Sequence, residues 1–133
     1  MVIIANEDDP LFSLAERASE RDELEEMAGL RKFDSGLPVN VWLDDSKAYI
    51  RGRHAKRIKF QGDYGNDINP NNFFSMLISK DNPQIPDNQI SKLRLKSKDI
   101  ERIKKFVMDN ATDLDSLSDG KISFAMFLKR MKV

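Results

Sequence analysis

Apolar residues in the first part of the chain recur with the spacing of a helix, which predicts a helix over 10–28. Asp9 suits the N-cap, and Pro10 suits the first helical position. Gly29 is suited to end the helix in a left-handed conformation. Five of the seven residues from 20 to 26 are acidic, so this helix is expected to carry a negative outer face. The apolar positions are Leu11, Leu14, Ala15, Ala18, Leu24, Met27 and Ala28.

The middle of the chain changes to a period of two, which is typical of strands. Val39, Val41 and Leu43 alternate with other residues, as in a strand with one buried face. Residues 62–72 are rich in Gly, Asn, Asp and Pro and predict a loop. The predicted strands cover residues 39–44, 48–51, 55–61 and 73–79, with a turn at Gly52-Arg53-His54 between the second and third.

The last third of the chain predicts two helices. Ser97 is expected to cap the first, and Asp99 suits its first turn. Gly120 is expected to form the turn before the second helix. The first helix has an apolar stripe of Ile100, Ile103, Phe106 and Val107. The second has a predicted buried face of Phe124, Phe127, Leu128 and Met131.

These elements predict one α+β domain over residues 1–133. An acidic N-terminal helix comes first, then a small antiparallel sheet of three to four strands, and then two C-terminal helices packed on the sheet. In this interpretation the helical segment is 1–35, the sheet is 37–80 and the helical pair is 97–133.

Composition narrows the class of protein. Apolar residues make up 40% of the chain and charged residues 33%, so a real core and a heavily charged surface are both expected. The chain has no cysteine, which excludes disulfides and thiolate metal sites. No familiar nucleotide or metal motif occurs, and no cofactor is expected. Because no apolar run approaches the roughly 18 residues of a membrane helix, we expect a cytoplasmic protein with no membrane contact.

Charge is segregated along the chain although the net charge is zero. Residues 1–46 carry twelve acids and four bases, whereas residues 47–62 carry six bases and no acid. Residues 92–106 carry a net charge of +5. Such blocks can pair within the fold or present a charged face to a partner, and the sequence leaves both alternatives open.

The strongest local feature is the basic hairpin at 47–59. Its cations and rings are suited to contact phosphates and stack on bases, as in nucleic-acid binding proteins. Alternatively, the hairpin neutralises the acidic N-terminal helix, or it contacts an acidic protein partner. The candidate binding residues are Lys47, Tyr49, Arg51, Arg53, His54, Lys56, Arg57 and Lys59.

Two metal-dependent alternatives remain. Asp44 and Asp45 lie at a strand end and are suited to bind Mg²⁺, and Asp45 with Lys47 has the Asp-x-Lys spacing of one nuclease class. That class also needs an upstream acid, for which Asp34 is the only candidate, so the metal site is not assembled in the sequence. The segment around Asp119-Gly120 has part of a calcium-loop pattern, but Leu117 and Met126 stand where oxygen ligands are required.

The sequence therefore favours a non-enzymatic regulatory or interaction protein, of the kind found in bacteria or phages, acting by protein–protein contacts through charged faces. The alternative is a nucleic-acid binding protein using the basic hairpin, or, more remotely, a metal-dependent nuclease. The identity of the protein partner and the oligomeric state are open at this stage.

Overall fold

The computed structural model describes residues 27–44, 56–66 and 72–133. These ranges contain four strands and five helices. The strands are β1 (Ala28–Leu30), β2 (Val41–Leu43), β3 (Arg57–Gln61) and β4 (Phe73–Leu77). The helices are α1 (Lys32–Ser35), α2 (Asp87–Ile90), α3 (Ser97–Asp109), α4 (Ala111–Ser118) and α5 (Phe124–Arg130). The predicted helix up to residue 26 and the predicted strand 48–51 lie outside the described residues.

The four strands form one antiparallel sheet in the order β1-β2-β3-β4. Val41 is aligned with Phe60, and Phe60 with Phe74, so alternate residues of neighbouring strands fall on one face. This confirms the predicted small antiparallel sheet, and the helices that accompany it make the described part an α+β structure.

One face of the sheet forms the hydrophobic core with α3, α4 and α5. The strand residues of this core are Leu30, Val41, Leu43, Ile58, Phe60, Phe74 and Met76, and the helix residues are Ile103, Phe106, Val107, Leu114, Leu117 and Phe127. Each side chain of this size stabilises the fold by about 1.5–3 kcal/mol when it leaves water. The predicted stripe of α3 is confirmed, since Ile103, Phe106 and Val107 are buried and Ile100 packs against them.

The opposite face of the sheet is also largely buried, which corrects the prediction of a half-buried strand at 39–44. Trp42 is 7% exposed and packs edge-to-face on Phe73, with ring centroids 4.4 Å apart. Lys59 and Ser75, which are aligned with Trp42 across the sheet, are 8% and 5% exposed. Alternation of residue types therefore located the strand but not the environment of its second face.

The N-terminal part of the described chain differs from the prediction. Residues 28–30 form β1 rather than the end of a helix, because they pair with β2 from Ala28 to Leu30. Among the glycines of the described residues, a positive φ occurs at Gly36 and Gly120, so Gly29 does not adopt the predicted left-handed helix end. The segment predicted as a link at 31–36 contains α1.

The C-terminal third contains three helices rather than two. The additional helix, α4, buries Ala111, Leu114 and Leu117. It ends at Ser118, and Gly120, whose φ of 74° is left-handed, lies in the turn predicted before the last helix. Ser97 is the first residue of α3 and not its cap, since Lys96 occupies the N-cap position.

The predicted buried face of α5 is only partly correct. Phe127 is fully buried, and Phe124 and Met131 pack against the core, but Leu128 is 40% exposed. The buried face of α5 is therefore narrower than a helical wheel suggests, with Phe127 as its buried residue and Met131 beyond its end at Arg130. No helix in the described ranges has the length and apolar character needed to cross a membrane.

Candidate functional site

Three residues of the predicted basic hairpin lie in the described part of the chain. Lys56 contacts Asp115 at 2.8 Å and Asp119 at 2.9 Å, both at the acidic side of α4. Lys59 is 8% exposed within β3, and Arg57 is partly exposed at the start of the same strand. The structure thus places Lys56 against acids that lie about sixty positions further along the chain. Lys47, Tyr49, Arg51, Arg53 and His54 lie outside the described residues, and their role stays a prediction.

Asp44, the carboxylate considered for a Mg²⁺ site, is 4% exposed. It accepts a hydrogen bond from the Ser118 hydroxyl at 3.4 Å. Its predicted neighbours Asp45 and Lys47 lie outside the described residues. In the part of the chain that the structure describes, no three His, Asp or Glu side chains come together in a way that could hold a metal ion.

A buried polar network holds the loop that follows β3. Asn40 and Gln61 are 4% and 0% exposed, and their amides face each other with Nδ2 and Oε1 3.4 Å apart. Asn40 Oδ1 accepts the Lys32 backbone N–H at 2.9 Å. Gln61 Nε2 donates to Asp63 Oδ1 at 2.7 Å. Because buried amides need partners, this network fixes where the loop leaves the sheet.

Asp63 is the acceptor at the end of this network. Its carboxylate also accepts the Gly65 N–H at 2.8 Å and the Asn72 amide at 2.5 Å. The Gln61 amide, followed by the Gly65 N–H, lowers the pKa of Asp63 below its ordinary value of 3.8, since these donors stabilise the charged form. Both ends of the loop are therefore tied to one ionised side chain.

Tyr64 lies on this loop and is 40% exposed. Its hydroxyl donates to Asp99 Oδ2 at 2.5 Å and accepts the Lys96 N–H at 2.9 Å. The hydrogen bond to Asp99 raises the pKa of the Tyr64 phenol above 10.0, because the neutral form is the donor. Lys32 Nζ donates to the Tyr64 carbonyl at 2.6 Å from the other side.

Further side chains extend this region into a basic and aromatic surface. Phe33 is 75% exposed, and its ring centroid lies 5.6 Å from Lys32 Nζ. Arg94 and Lys96 are exposed on the segment before α3. The Arg94 N–H bonds the Gly62 carbonyl at 3.2 Å, which holds this segment beside the loop. We call Lys32, Phe33, Tyr64, Arg94 and Lys96 the basic-aromatic surface.

A groove of about 470 Å³ lies between α2, α3 and the segment before α2. Ile85, Leu93 and Ile100 supply apolar lining, and Ile90 at its side is 51% exposed. The full lining is Asn82, Pro83, Gln84, Ile85, Asp87, Ile90, Leu93, Ile100 and Lys104, and we call it the α2–α3 groove.

The stretch that supplies the whole lining of the α2–α3 groove, residues 82–106, contains seven bases and three acids. Lys104 and Asp87 line the groove. Lys92 and Arg94, both exposed, flank the lining residue Leu93. Lys104 lies 3.5 Å from Glu101, a contact at the surface that is worth little.

The segment before the groove also covers the edge of the sheet at β4. The Leu77 N–H donates to the Gln84 carbonyl at 2.9 Å. The Ser75 N–H donates to Gln89 Oε1 at 3.0 Å. These bonds occupy two outward donors of an edge strand that could otherwise pair with another strand.

Neither of these surfaces was evident as a site from the sequence. The clearest sequence feature was the alternation in residues 92–96, where Leu93 and Leu95 pack against the core while Lys92, Arg94 and Lys96 are exposed. The net charge of +5 over 92–106 is evident from the sequence, but the more densely basic hairpin was predicted as the site. Comparison with family models, with curated proteins and with solved structures gave no match to this chain.

Proposed function

We propose that the protein is a small, non-enzymatic regulatory module that works in the cytoplasm and binds an acidic segment of a partner protein in the α2–α3 groove. The observation that carries the proposal is the exposed Ile90 beside a groove with a partly apolar lining, formed by a stretch of chain, residues 82–106, with a net charge of +4. Exposed apolar side chains next to a concave surface are typical of binding sites.

The chemistry of the groove determines the chemistry of its partner. Ile85, Leu93 and Ile100 favour one apolar side chain as the anchor, since burial of such a side chain is the main source of interface affinity. The stretch 82–106, which supplies the whole lining, contains seven bases and three acids, so carboxylates beside the anchor are complementary. We therefore expect a segment in which Leu or Phe is flanked by Asp or Glu.

The bonded edge of β4 favours a partner that binds through its side chains over a partner that adds a strand to the sheet. Its Ser75 and Leu77 N–H groups already bond to Gln89 and Gln84. A partner strand would have to replace these bonds before it gained its own.

A labelled synthetic peptide tests the proposal. The peptide carries Leu between Asp and Glu residues, and a second peptide has Lys at the acidic positions. Fluorescence anisotropy is measured for both with the wild type and with Ile90→Asp. The matched control is Leu128→Asp, because Leu128 is a similarly exposed apolar residue on α5.

We expect the acidic peptide to bind and the basic peptide not to bind. Ile90→Asp should weaken binding at least about tenfold, which is the loss of about 1.4 kcal/mol of apolar contact with added charge repulsion. Leu128→Asp should bind as the wild type does. Equal binding of the two peptides, equal losses in the two variants, or no binding of either peptide would refute the proposal.

A further inference from the structure

We propose that the basic-aromatic surface binds single-stranded nucleic acid. Its five residues all lie in the described part of the chain and differ from those predicted for the basic hairpin. Arg94 also flanks the α2–α3 groove, whereas Phe33 and Tyr64 belong to this surface alone, so Phe33→Ala and Ile90→Asp distinguish this inference from the proposed peptide contact.

The first observation is the exposure of two rings close to cations. Phe33 is 75% exposed and Tyr64 is 40% exposed. Lys32 connects them, because its Nζ lies over the Phe33 ring and donates to the Tyr64 carbonyl. Exposed rings beside cations are the arrangement by which proteins stack bases and pair phosphates along a single strand.

The second observation is that Tyr64 is held from several directions. Its hydroxyl is bonded to Asp99 and to the Lys96 N–H, and its carbonyl accepts from Lys32. The loop that carries it is anchored through Asp63. A ring that is ordered before binding loses less entropy when a base stacks on it.

The third observation is the charge around the rings. Arg94 and Lys96 are exposed, and neither forms an ion pair with another residue of the described ranges. Asp99 accepts the hydrogen bond of the Tyr64 hydroxyl, and Asp63 interacts electrostatically with Lys32. The three cations of the surface outnumber these two acids by one, which favours a polyanion.

The rings favour a single strand over a duplex. Paired bases in a duplex are stacked on each other and cannot stack on protein rings, whereas each base of a single strand offers an accessible face. Phosphate pairing by cations alone would not distinguish the two forms.

The experiment measures fluorescence anisotropy with a labelled single strand of about 12 nucleotides, as DNA and as RNA, at several salt concentrations. The duplex of the same length is the comparison. Variants are Phe33→Ala and the pair Arg94→Gln and Lys96→Gln. Lys121→Gln with Lys129→Gln is the matched control, since both lysines are exposed and lie elsewhere on the described surface. A thermal unfolding curve for each variant shows that it is folded.

We expect the single strand to bind more tightly than the duplex at low salt. Loss of one stacking ring in Phe33→Ala should weaken binding about tenfold. If Lys32, Arg94 and Lys96 each pair with one phosphate, the slope of log affinity against log salt concentration should be about −2. Removal of the Arg94 and Lys96 charges should bring this slope closer to zero by about 1.4. The lysine control and Ile90→Asp should bind normally.

Three outcomes would overturn the inference. One is the absence of binding by DNA and RNA at low salt. Another is a loss of affinity for the single strand in the lysine control as large as that in Phe33→Ala, which would indicate nonspecific charge attraction. The third is binding that is lost in Arg51→Gln with Arg53→Gln but kept in Phe33→Ala, which would assign nucleic-acid contact to the basic hairpin instead.

Discussion

Replacing Asp63 with Asn tests whether one ionised carboxylate organises the loop after β3. Asp63 accepts three hydrogen bonds, from the Gln61 amide, the Gly65 N–H and the Asn72 amide. Asn has the same shape and keeps one oxygen, but it places an NH₂ group where Asn72 donates. The substitution therefore removes the charge and one acceptor without creating a cavity.

The magnitude follows from these bonds. A hydrogen bond to a charged group contributes about 1.5–3 kcal/mol, and a neutral one contributes about 0.5–1.5 kcal/mol. In Asp63→Asn, the hydrogen bonds from Gln61 and Gly65 are made to a neutral oxygen, and the bond from Asn72 is lost. Asp63 is partly exposed, and solvent screening reduces the sum. We expect the free energy of unfolding to fall by about 2 kcal/mol near neutral pH.

The effect of pH gives a second test of the same reasoning. The pKa of Asp63 is lowered in the folded protein, so its stabilisation is complete above the ordinary value of 3.8 and is lost as pH falls through the folded pKa. The difference between wild type and Asp63→Asn should therefore shrink at acidic pH. Urea unfolding monitored by Trp42, which is 7% exposed, measures it at each pH.

The control is Asp81→Asn, which removes an exposed carboxylate from another loop. We expect it to change stability by less than about 0.5 kcal/mol. Equal effects of the two substitutions, or a difference between wild type and Asp63→Asn that stays constant at acidic pH, would refute the role assigned to this carboxylate.

Three other substitutions test the packing, each by urea unfolding. Asn110→Ala should lower the free energy of unfolding by about 2–3 kcal/mol, because the Asn110 amide is 3% exposed and bonds both the N–H and the carbonyl of Lys132. Hydrogen exchange of the Lys132 amide should also be faster in this variant. Gly62→Ala should lower the free energy of unfolding by about 1–3 kcal/mol, because a Cβ there would overlap the Phe74 ring. Wild-type stability of this variant would contradict this packing. Leu114→Ala should cost about 2–5 kcal/mol, since Leu114 is 2% exposed, and a cost below about 1 kcal/mol would mean that α4 contributes little to the core.

The elements that the sequence predicted well are those with a sustained period. Ile58 and Phe60 alternate in β3, and Phe74 and Met76 alternate in β4, and all four are buried. The α3 stripe extends over two turns, so its spacing identified the buried face before the structure did. Periodicity identifies the buried residues of these elements because one face of each element packs against the core, and that face carries the apolar side chains.

The elements that were missed depend on contacts distant in sequence. The α4 segment contains Thr112, Asp113, Ser116 and Ser118, which are weak helix formers, and Leu114 with Leu117 is too short a pattern to indicate a helix. Ala28 continues the helical spacing of Leu24 and Met27, but the pairing of β1 with β2 determines its conformation.

The candidate surfaces could be predicted only in part for the same reason. The charge of Lys56 was evident, but its partners Asp115 and Asp119 are remote in the sequence. Nothing local indicates that Phe33 is exposed whereas Phe127 is buried. The exposure of a ring depends on which elements pack beside it, and that is a property of the tertiary structure.

The burial of the sheet limits where a partner can bind. The core face carries the helices, the centre of the opposite face is filled around Trp42 and Lys59, and the outward N–H groups of Ser75 and Leu77 are bonded. Connecting segments beside this rigid sheet remain available, and such segments commonly carry function. The loop with Tyr64 and the stretch from Gln84 to Lys96 supply most of both proposed surfaces. Because Leu93 and Leu95 pack against the core, the backbone of that stretch is held beside the sheet, and it carries both lining residues of the groove and two cations of the basic-aromatic surface.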